Sequence, residues 1–221
     1  QRAGENCVDE TIERIIQKEY VMLGKVNNRG GRAACQDHFA VFRTMRASQF
    51  LVWPDFILRS YLDDLKQAEA VGRNLVFEKY AWMMMYALPE EFKKVCHVLP
   101  VFSPERCERM QETVAIQVAW AEEFAARYPT IGARGRPLHT EEDTPESTSV
   151  ETYMRGELAT YSERTEKRYH TFVLSCREQG RNLTTEVREN QARLQGWHSL
   201  EDVERSYREK RGQTNFLEVL K

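Results

Sequence analysis

The sequence predicts an all-α protein, a helical bundle built from two pseudo-symmetric repeats. Three observations carry this. Apolar residues recur at three- and four-residue steps over long stretches, and few segments alternate with period two. Glycine (11) and proline (7) are scarce among 221 residues, which favours long regular elements over many tight turns. The tetrapeptide "GRNL" occurs twice, at 72–75 and at 180–183, and internal similarity of this kind bears on the whole architecture.

The elements follow in order. Ile12, Ile15, Ile16, Tyr20 and Leu23 form one apolar stripe and predict a helix over 9–26. Phe42, Met45, Phe50 and Trp53 give a second stripe. Pro54 suits the first turn of a helix over 55–70, which carries Phe56, Ile57, Tyr61 and Leu65. In "GRNL", Gly72 suits a left-handed C′ position and Asn74 an N-cap, so the motif reads as helix stop and restart. Leu75, Ala81, Met84 and Met85 mark the helix that follows. Ser103 caps the next, Pro104 occupies its first turn, and Pro129 ends it near Tyr128. Thr148 and Glu151 have capping-box spacing and open one long helix over 149–178. After the second "GRNL", the segment "LEDVERSYREKRG" predicts a charged amphipathic helix over 199–220 that packs on the bundle.

The two halves align in three blocks. "KEYVMLGKVNNRGGR" lies over "EEFAARYPTIGARGR", pairing Glu19 with Glu123, Tyr20 with Phe124, Gly31 with Gly135 and Arg32 with Arg136. Met45 and Arg46 then meet Met154 and Arg155; Tyr61 meets Tyr169 and Glu78 meets Glu186. The offset shifts where the second half carries the longer loop "PLHTEEDTPESTS". The expected organisation is one domain over 1–221, with repeat units 9–88 and 104–197.

Composition removes several function classes. Hydrophobic residues make up 41% and charged residues 30%, as in globular domains. A net charge of −2 gives no electrostatic reason to expect nucleic acid or an anionic membrane. The longest apolar run, "YAWMMMYAL", is too short to span a bilayer. Five cysteines, an odd count without a CxxC pair, point away from a disulfide framework and a thiolate zinc site, and towards reduced thiols in a cytoplasm.

Polar residues that interrupt apolar stripes are the informative ones. Glu19 follows Ile15 and Ile16 by helical steps and should face inward. Glu123 stands beside Trp120 and Phe124, Arg46 among Phe42 and Phe50, Arg155 among Met154 and Leu158, and Glu78 with Leu75 and Trp82. Buried charges must find partners, so these groups either form interior salt bridges or wall a ligand cavity between the halves. In the second case Arg32, Arg46, Arg136 and Arg155 would hold an anionic group of a small molecule. Glu19, Glu78, Glu123 or Glu157 would then move protons or orient substrate.

Duplicated bundles with inward glutamates are also similar to carboxylate-bridged di-iron proteins, which makes Glu19, Glu78, Glu123 and Glu186 the ligands to test. No Glu-x-x-His pair accompanies them, so metal is not the favoured expectation, and no cofactor is indicated. The loop "NNRGGR" follows a helix and lacks the G-x-x-x-x-G-K-[ST] spacing, which excludes a P-loop. Its glycines and arginines still suit an anion site. Cys35 in the same segment is a candidate nucleophile or a spectator thiol.

Taken together, "KVNNRGGRAACQD", "MRASQF", "GRNLVFEKYAWMM", "RGRP", "DTPESTS" and "ETYMRGELATYS" resemble a bacterial family defined as domain of unknown function 4125, over about Ile12 to Trp197. The resemblance implies no mechanism. Members of that family often carry a second acidic residue after "QD", where this chain has His38. Three functions follow as expectations: a small-molecule enzyme or binding protein with an Arg/Glu-lined cavity, a non-catalytic interaction module with structural salt bridges, and a carboxylate metalloenzyme.

Overall fold

Eleven α-helices and no strand are formed by the described residues. The computed structural model describes the backbone of 2–26 and 38–219, and the side chains of 10–26 and 38–210. In chain order the helices are α1 (Arg2–Gly24), α2 (Phe39–Phe50), α3 (Asp55–Ala70), α4 (Leu75–Ala87), α5 (Pro89–Val95) and α6 (Pro104–Arg127). The short α7 (Pro129–Gly132) precedes α8 (Val150–Thr160), α9 (Glu163–Glu178), α10 (Leu183–Leu194) and α11 (Leu200–Val219).

Each "GRNL" closes one helix and opens the next, as its residues dictate. Gly72 and Gly180 take φ of 75° and 67°, the left-handed region that glycine enters without steric penalty. The following N–H groups, of Arg73 and Arg181, then donate back to the carbonyls of Ala68 (2.8 Å) and Cys176 (2.9 Å). Asn74 and Asn182 cap the next helices by accepting from the N–H groups of Phe77 (2.9 Å) and Thr185 (3.0 Å). Their amide nitrogens reach further, donating to the carbonyls of Met22 (2.9 Å) and Trp120 (3.1 Å). A local stop signal is thereby tied to a distant helix.

Helix α1 packs on α2, α3 and α4, while α6 packs on α8, α9 and α10. Three pairs join these groups: α4 with α8, α2 with α10 and α3 with α9. Phe50, Ile15, Ile16, Leu23, Ile57, Leu58, Leu65, Leu158 and Val173 are fully buried between them. At the centre stand Trp53, Tyr61, Tyr161 and Tyr169, with ring centroids 5.0–6.0 Å apart and mostly edge-on or tilted. Ser60 and Thr165 share a buried hydroxyl hydrogen bond (2.7 Å) across the α3–α9 contact. A smaller apolar cluster of Phe124, Tyr128, Ile131, Leu200 and Val203 lies under α11. Glu204 fastens that helix by accepting from the N–H groups of Thr130 and Ile131 (2.9 and 2.8 Å).

The predicted single helix over 149–178 is in fact two. Ser149, not Thr148, caps α8, accepting from Thr152 N–H at 3.1 Å. The helix stops at Thr160, Tyr161 is extended, and Ser162 caps α9. Ser162 accepts from Thr165 N–H (3.2 Å), and its own N–H donates to Asp64 (2.9 Å). That outside acceptor, and the inward turn of the Tyr161 ring, outweigh the continuity of the helical pattern. Met45 and Phe56, expected in apolar stripes, are exposed, because Arg46, Ala47 and Phe50 define the buried face of α2, and Ile57, Leu58, Tyr61 and Leu65 that of α3.

The α4–α8 crossing depends on one missing side chain. A Cβ at Gly156 would stand 2.9 Å from both the Lys79 carbonyl and Met83 Cγ. Gly156→Ala should therefore force the helices apart and destabilise the protein by about 1–3 kcal/mol, measured by urea denaturation.

Candidate functional site

Where the two helix groups meet, Arg46 lies buried in a ring of acceptors. Its Nε and Nη2 donate to the two oxygens of Glu19 (2.7 and 2.6 Å) in a bidentate pair. Nη2 also reaches Glu157 (2.7 Å), and Nη1 donates to Gln49 Oε1 (2.7 Å). The guanidinium stacks 4.6 Å from the Phe50 ring centroid. Tyr61 donates its hydroxyl to Glu19 (2.8 Å), and Lys79 Nζ lies 3.3 Å from Glu157 and 3.2 Å from the Tyr153 hydroxyl.

Five helices contribute: α1 gives Glu19, α2 Arg46, α3 Tyr61, α4 Lys79 and α8 Glu157. Two carboxylates face two cations, so the cluster is neutral. It is also nearly dry, since the Glu19, Arg46 and Glu157 side chains are at most 6% exposed and Lys79 is 12% exposed. Burial pushes the Glu157 carboxyl up, but Arg46 and Lys79 beside it more than offset this and hold it at about 2. Burial likewise opposes the charge on Arg46 and Lys79, but Glu157 together with Glu19 at Arg46, and with Tyr153 at Lys79, more than offsets it and raises both above their ordinary values.

The structure thus brings together Glu19, Arg46 and Glu157 and separates the rest of the predicted set. Glu78 is buried but belongs to a bidentate pair with Arg73 (2.9 and 2.6 Å). Glu186 makes the matching pair with Arg181 (2.9 and 2.7 Å). Glu123, expected inside, is exposed on α6 and accepts from the Asn182 amide (2.9 Å). The buried face of α6 runs through Gln117, Trp120, Ala121 and Phe124, and a residue one step before Phe124 falls off it. Arg155 is half-buried rather than inward and pairs with Glu151 one turn earlier (2.5 Å). Exposed Arg136 holds the Thr148 carbonyl and hydroxyl (2.9 and 2.8 Å). Arg32 and Cys35 lie outside the described residues.

Two participants escaped sequence reasoning. Lys79 lies three and four residues from Val76 and Met83, an apolar spacing that could have marked it as inward. Gln117 is buried and donates to the Tyr169 hydroxyl (2.7 Å), as Glu19 accepts from Tyr61. A glutamine draws no attention in a search for charges.

Among the described residues, no three of Glu19, Glu78, Glu123 and Glu186 approach one another as metal ligands would. His139, Glu141 and Glu151 do bring ligand atoms within 4.8 Å of one another. Glu151 is already engaged by Thr140 N–H and Arg155, and His139 Nε2 faces Glu122 at 3.0 Å. The long loop after Arg136 is similarly bound to itself: Asp143 accepts from Ser149 N–H and the Thr152 hydroxyl, both at 2.6 Å.

Neither pocket of note opens onto the Arg46 cluster. One, about 280 Å³, is lined by Asp64, Arg73, Leu75, Phe102, Arg106 and Tyr161 among others. The second, about 190 Å³, lies between α7, α10 and α11. No described helix is long and apolar enough to cross a membrane.

The sequence matches the family described as "Protein of unknown function (DUF4125)" over residues 9–205. The chain belongs to that family. The match takes in every residue of the ion cluster and of both pockets except Tyr207, which stands two residues beyond it. No curated protein and no solved structure matches the chain.

Two outcomes test the cluster. Arg46→Met leaves two buried carboxylates facing Lys79 alone and should cost about 3–5 kcal/mol in urea denaturation. The Glu157 carboxyl is lower in the folded than in the unfolded protein, so its contribution is full above the ordinary carboxylate value and disappears as pH falls towards about 2. Between those limits wild type should lose roughly 3 kcal/mol more stability than Glu157→Gln, read from denaturation midpoints across the acid range.

Proposed function

We propose that the protein binds a small amphoteric molecule in the pocket bordered by Asp64 and Arg106, and that the Arg46 cluster is its scaffold. The observation that carries this concerns Asp64, which is only 6% exposed. One of its oxygens accepts from Ser162 N–H (2.9 Å); the other is buried without a donor. An ionised oxygen left so is costly unless a ligand supplies the donor. Across the same lining, Arg106 donates to the Tyr161 carbonyl (2.7 Å) and stacks 4.2 Å from the Phe102 centroid, while its buried Nε–H has no acceptor. Burial lowers the Arg106 pKa, and Glu166 and Glu163 only partly compensate.

Asp64 and Arg106, which carry an unpaired acceptor and an unpaired donor, both line this pocket, and together they call for a ligand with both complements. A free α-amino acid is the simplest: its ammonium suits Asp64, its carboxylate suits Arg106, and a short side chain can lie on Val71, Leu75 and Phe102. The volume falls just below the range of drug-sized sites, which suits a ligand of that size.

The location also accords with duplication of units 9–88 and 104–197, since residues of both line the pocket. Helices α3 and α9 each have 16 residues and begin 108 positions apart, and α4 (13 residues) and α10 (12 residues) also begin 108 positions apart. The aromatic centre has matching pairs: Trp53–Tyr169 with Tyr61–Tyr161 (5.0 and 5.2 Å), and Trp53–Tyr61 with Tyr161–Tyr169 (6.0 and 5.9 Å). Gln117 bonds to the Tyr169 hydroxyl as Glu19 does to that of Tyr61, a likeness of contact and not of this register. A docking module is the second reading, favoured by Val101, 98% exposed between the pocket residues Pro100 and Phe102.

Isothermal titration calorimetry with the twenty free α-amino acids tests the proposal. At least one should bind, and Asp64→Asn, which keeps an acceptor for Ser162, should weaken it roughly 10- to 100-fold. No binding by any member, or equal binding by the variant, would sink it. Concentration-dependent sedimentation abolished by Val101→Ser, without amino-acid binding, would favour the docking module.

A further inference from the structure

The second pocket holds an unusual set of charges. It is walled by Arg134 and Arg188, with Gln191, Gln195 and Tyr207 beside them, and no acidic side chain among the described residues lines it. Arg188, on α10, donates Nη1 to Gln191 Oε1 (2.9 Å) and has no carboxylate partner among the described residues. Burial therefore pushes its pKa down, with only the Tyr207 hydroxyl acting against it. Arg134 stacks on the Tyr207 ring, 4.2 Å from its centroid, and likewise pairs with no carboxylate.

Elsewhere in the molecule, apart from Arg106 in the other pocket, the arginines drawn into the structure are matched. Arg46 has Glu19 and Glu157, Arg73 has Glu78, Arg109 has Glu166, Arg155 has Glu151 and Arg181 has Glu186. A partly desolvated guanidinium without a counter-charge is unfavourable on its own. An anion bound beside it relieves that penalty. The backbone keeps the space clear: a Cβ at Gly135 would stand 3.9 Å from Arg188 Nη2 and 3.2 Å from the Gly132 carbonyl.

We infer that this pocket, between α7, α10 and α11, is a binding site for phosphate, held between the guanidiniums of Arg134 and Arg188. Two planar forks match tetrahedral oxygens well, and the Gln191 and Gln195 amides supply further polar groups. The volume of about 190 Å³ accommodates inorganic phosphate or the phosphoryl end of a small ester, and is well below that of a drug-sized site. This site is separate from the Asp64 pocket and does not depend on it.

The test is calorimetry on the full chain with sodium phosphate, using sodium acetate at equal ionic strength as the control. Phosphate should bind once per chain, and Arg188→Gln and Arg134→Gln should each weaken it at least about tenfold, whereas Arg73→Gln should leave it unchanged. Without phosphate, Arg188→Gln should melt no lower than wild type, because the substitution removes an unmatched charge; a merely structural arginine would show a fall. Methyl phosphate binding at least as tightly as phosphate would assign the site to phosphate esters, and weaker binding would assign it to the free ion. Absence of phosphate binding, or binding that survives both substitutions, would overturn the inference. Should Arg188→Gln fail to fold, exposed Arg134 still decides the matter.

Discussion

The Arg46 guanidinium is the interaction on which the architecture depends. It takes both oxygens of Glu19 on α1 and one of Glu157 on α8, so it holds helices from the two helix groups at one point. Burying an isolated arginine this deeply would be prohibitive, and burying either glutamate would be nearly so. Their enclosure is tolerable only when all three, with Lys79, arrive in register. Apolar contacts among Ile15, Ile57, Leu65 and Leu158 would accept small slips of one helix along another. The ion cluster would not. Its main contribution is thus to uniqueness of packing, while net stabilisation comes from the apolar core around it.

That division of labour separates shape from binding. The cluster is neutral and closed: each nitrogen of Arg46 already donates, both oxygens of Glu19 already accept, and neither pocket opens onto it. The unfilled valences lie nearer the surface, at Asp64 and Arg106 in one pocket and at Arg134 and Arg188 in the other. Buried charge in this fold is therefore of two kinds, and only the incompletely matched kind offers chemistry to a solute.

How much of this was legible in the sequence depends on the range of the interaction. The caps at Asn74, Ser103 and Asn182 and the left-handed glycines at 72 and 180 are local and were readable from a few residues. The inward character of Glu19, Arg46 and Glu78 followed from helical spacing. The break at Tyr161 and Ser162 was not visible, because the acceptor that helps to fix it, Asp64, is 98 residues away. Glu123 misled because its letter matched Glu19, whereas the polar residue buried on the same helix, bonded to Tyr169, is Gln117. Arg106 and Arg188 gave no sign at all, since a missing partner is a property of the assembled surface.

The sequence separations within the Arg46 cluster bear on the order in which the chain folds. Glu19 is 27 residues from Arg46, but Glu157 is 111 away, and Lys79 meets Glu157 across 78. Helices capped by their own neighbouring residues can form early, while the pairing of Arg46 with Glu157 must await closure of a long loop. During synthesis, the first half of the chain emerges with Arg46 and Lys79 sharing only one of their two carboxylates. That half carries an excess of positive charge on the face it will later bury. The excess keeps the face hydrated and resists premature collapse or self-association until α8 delivers Glu157.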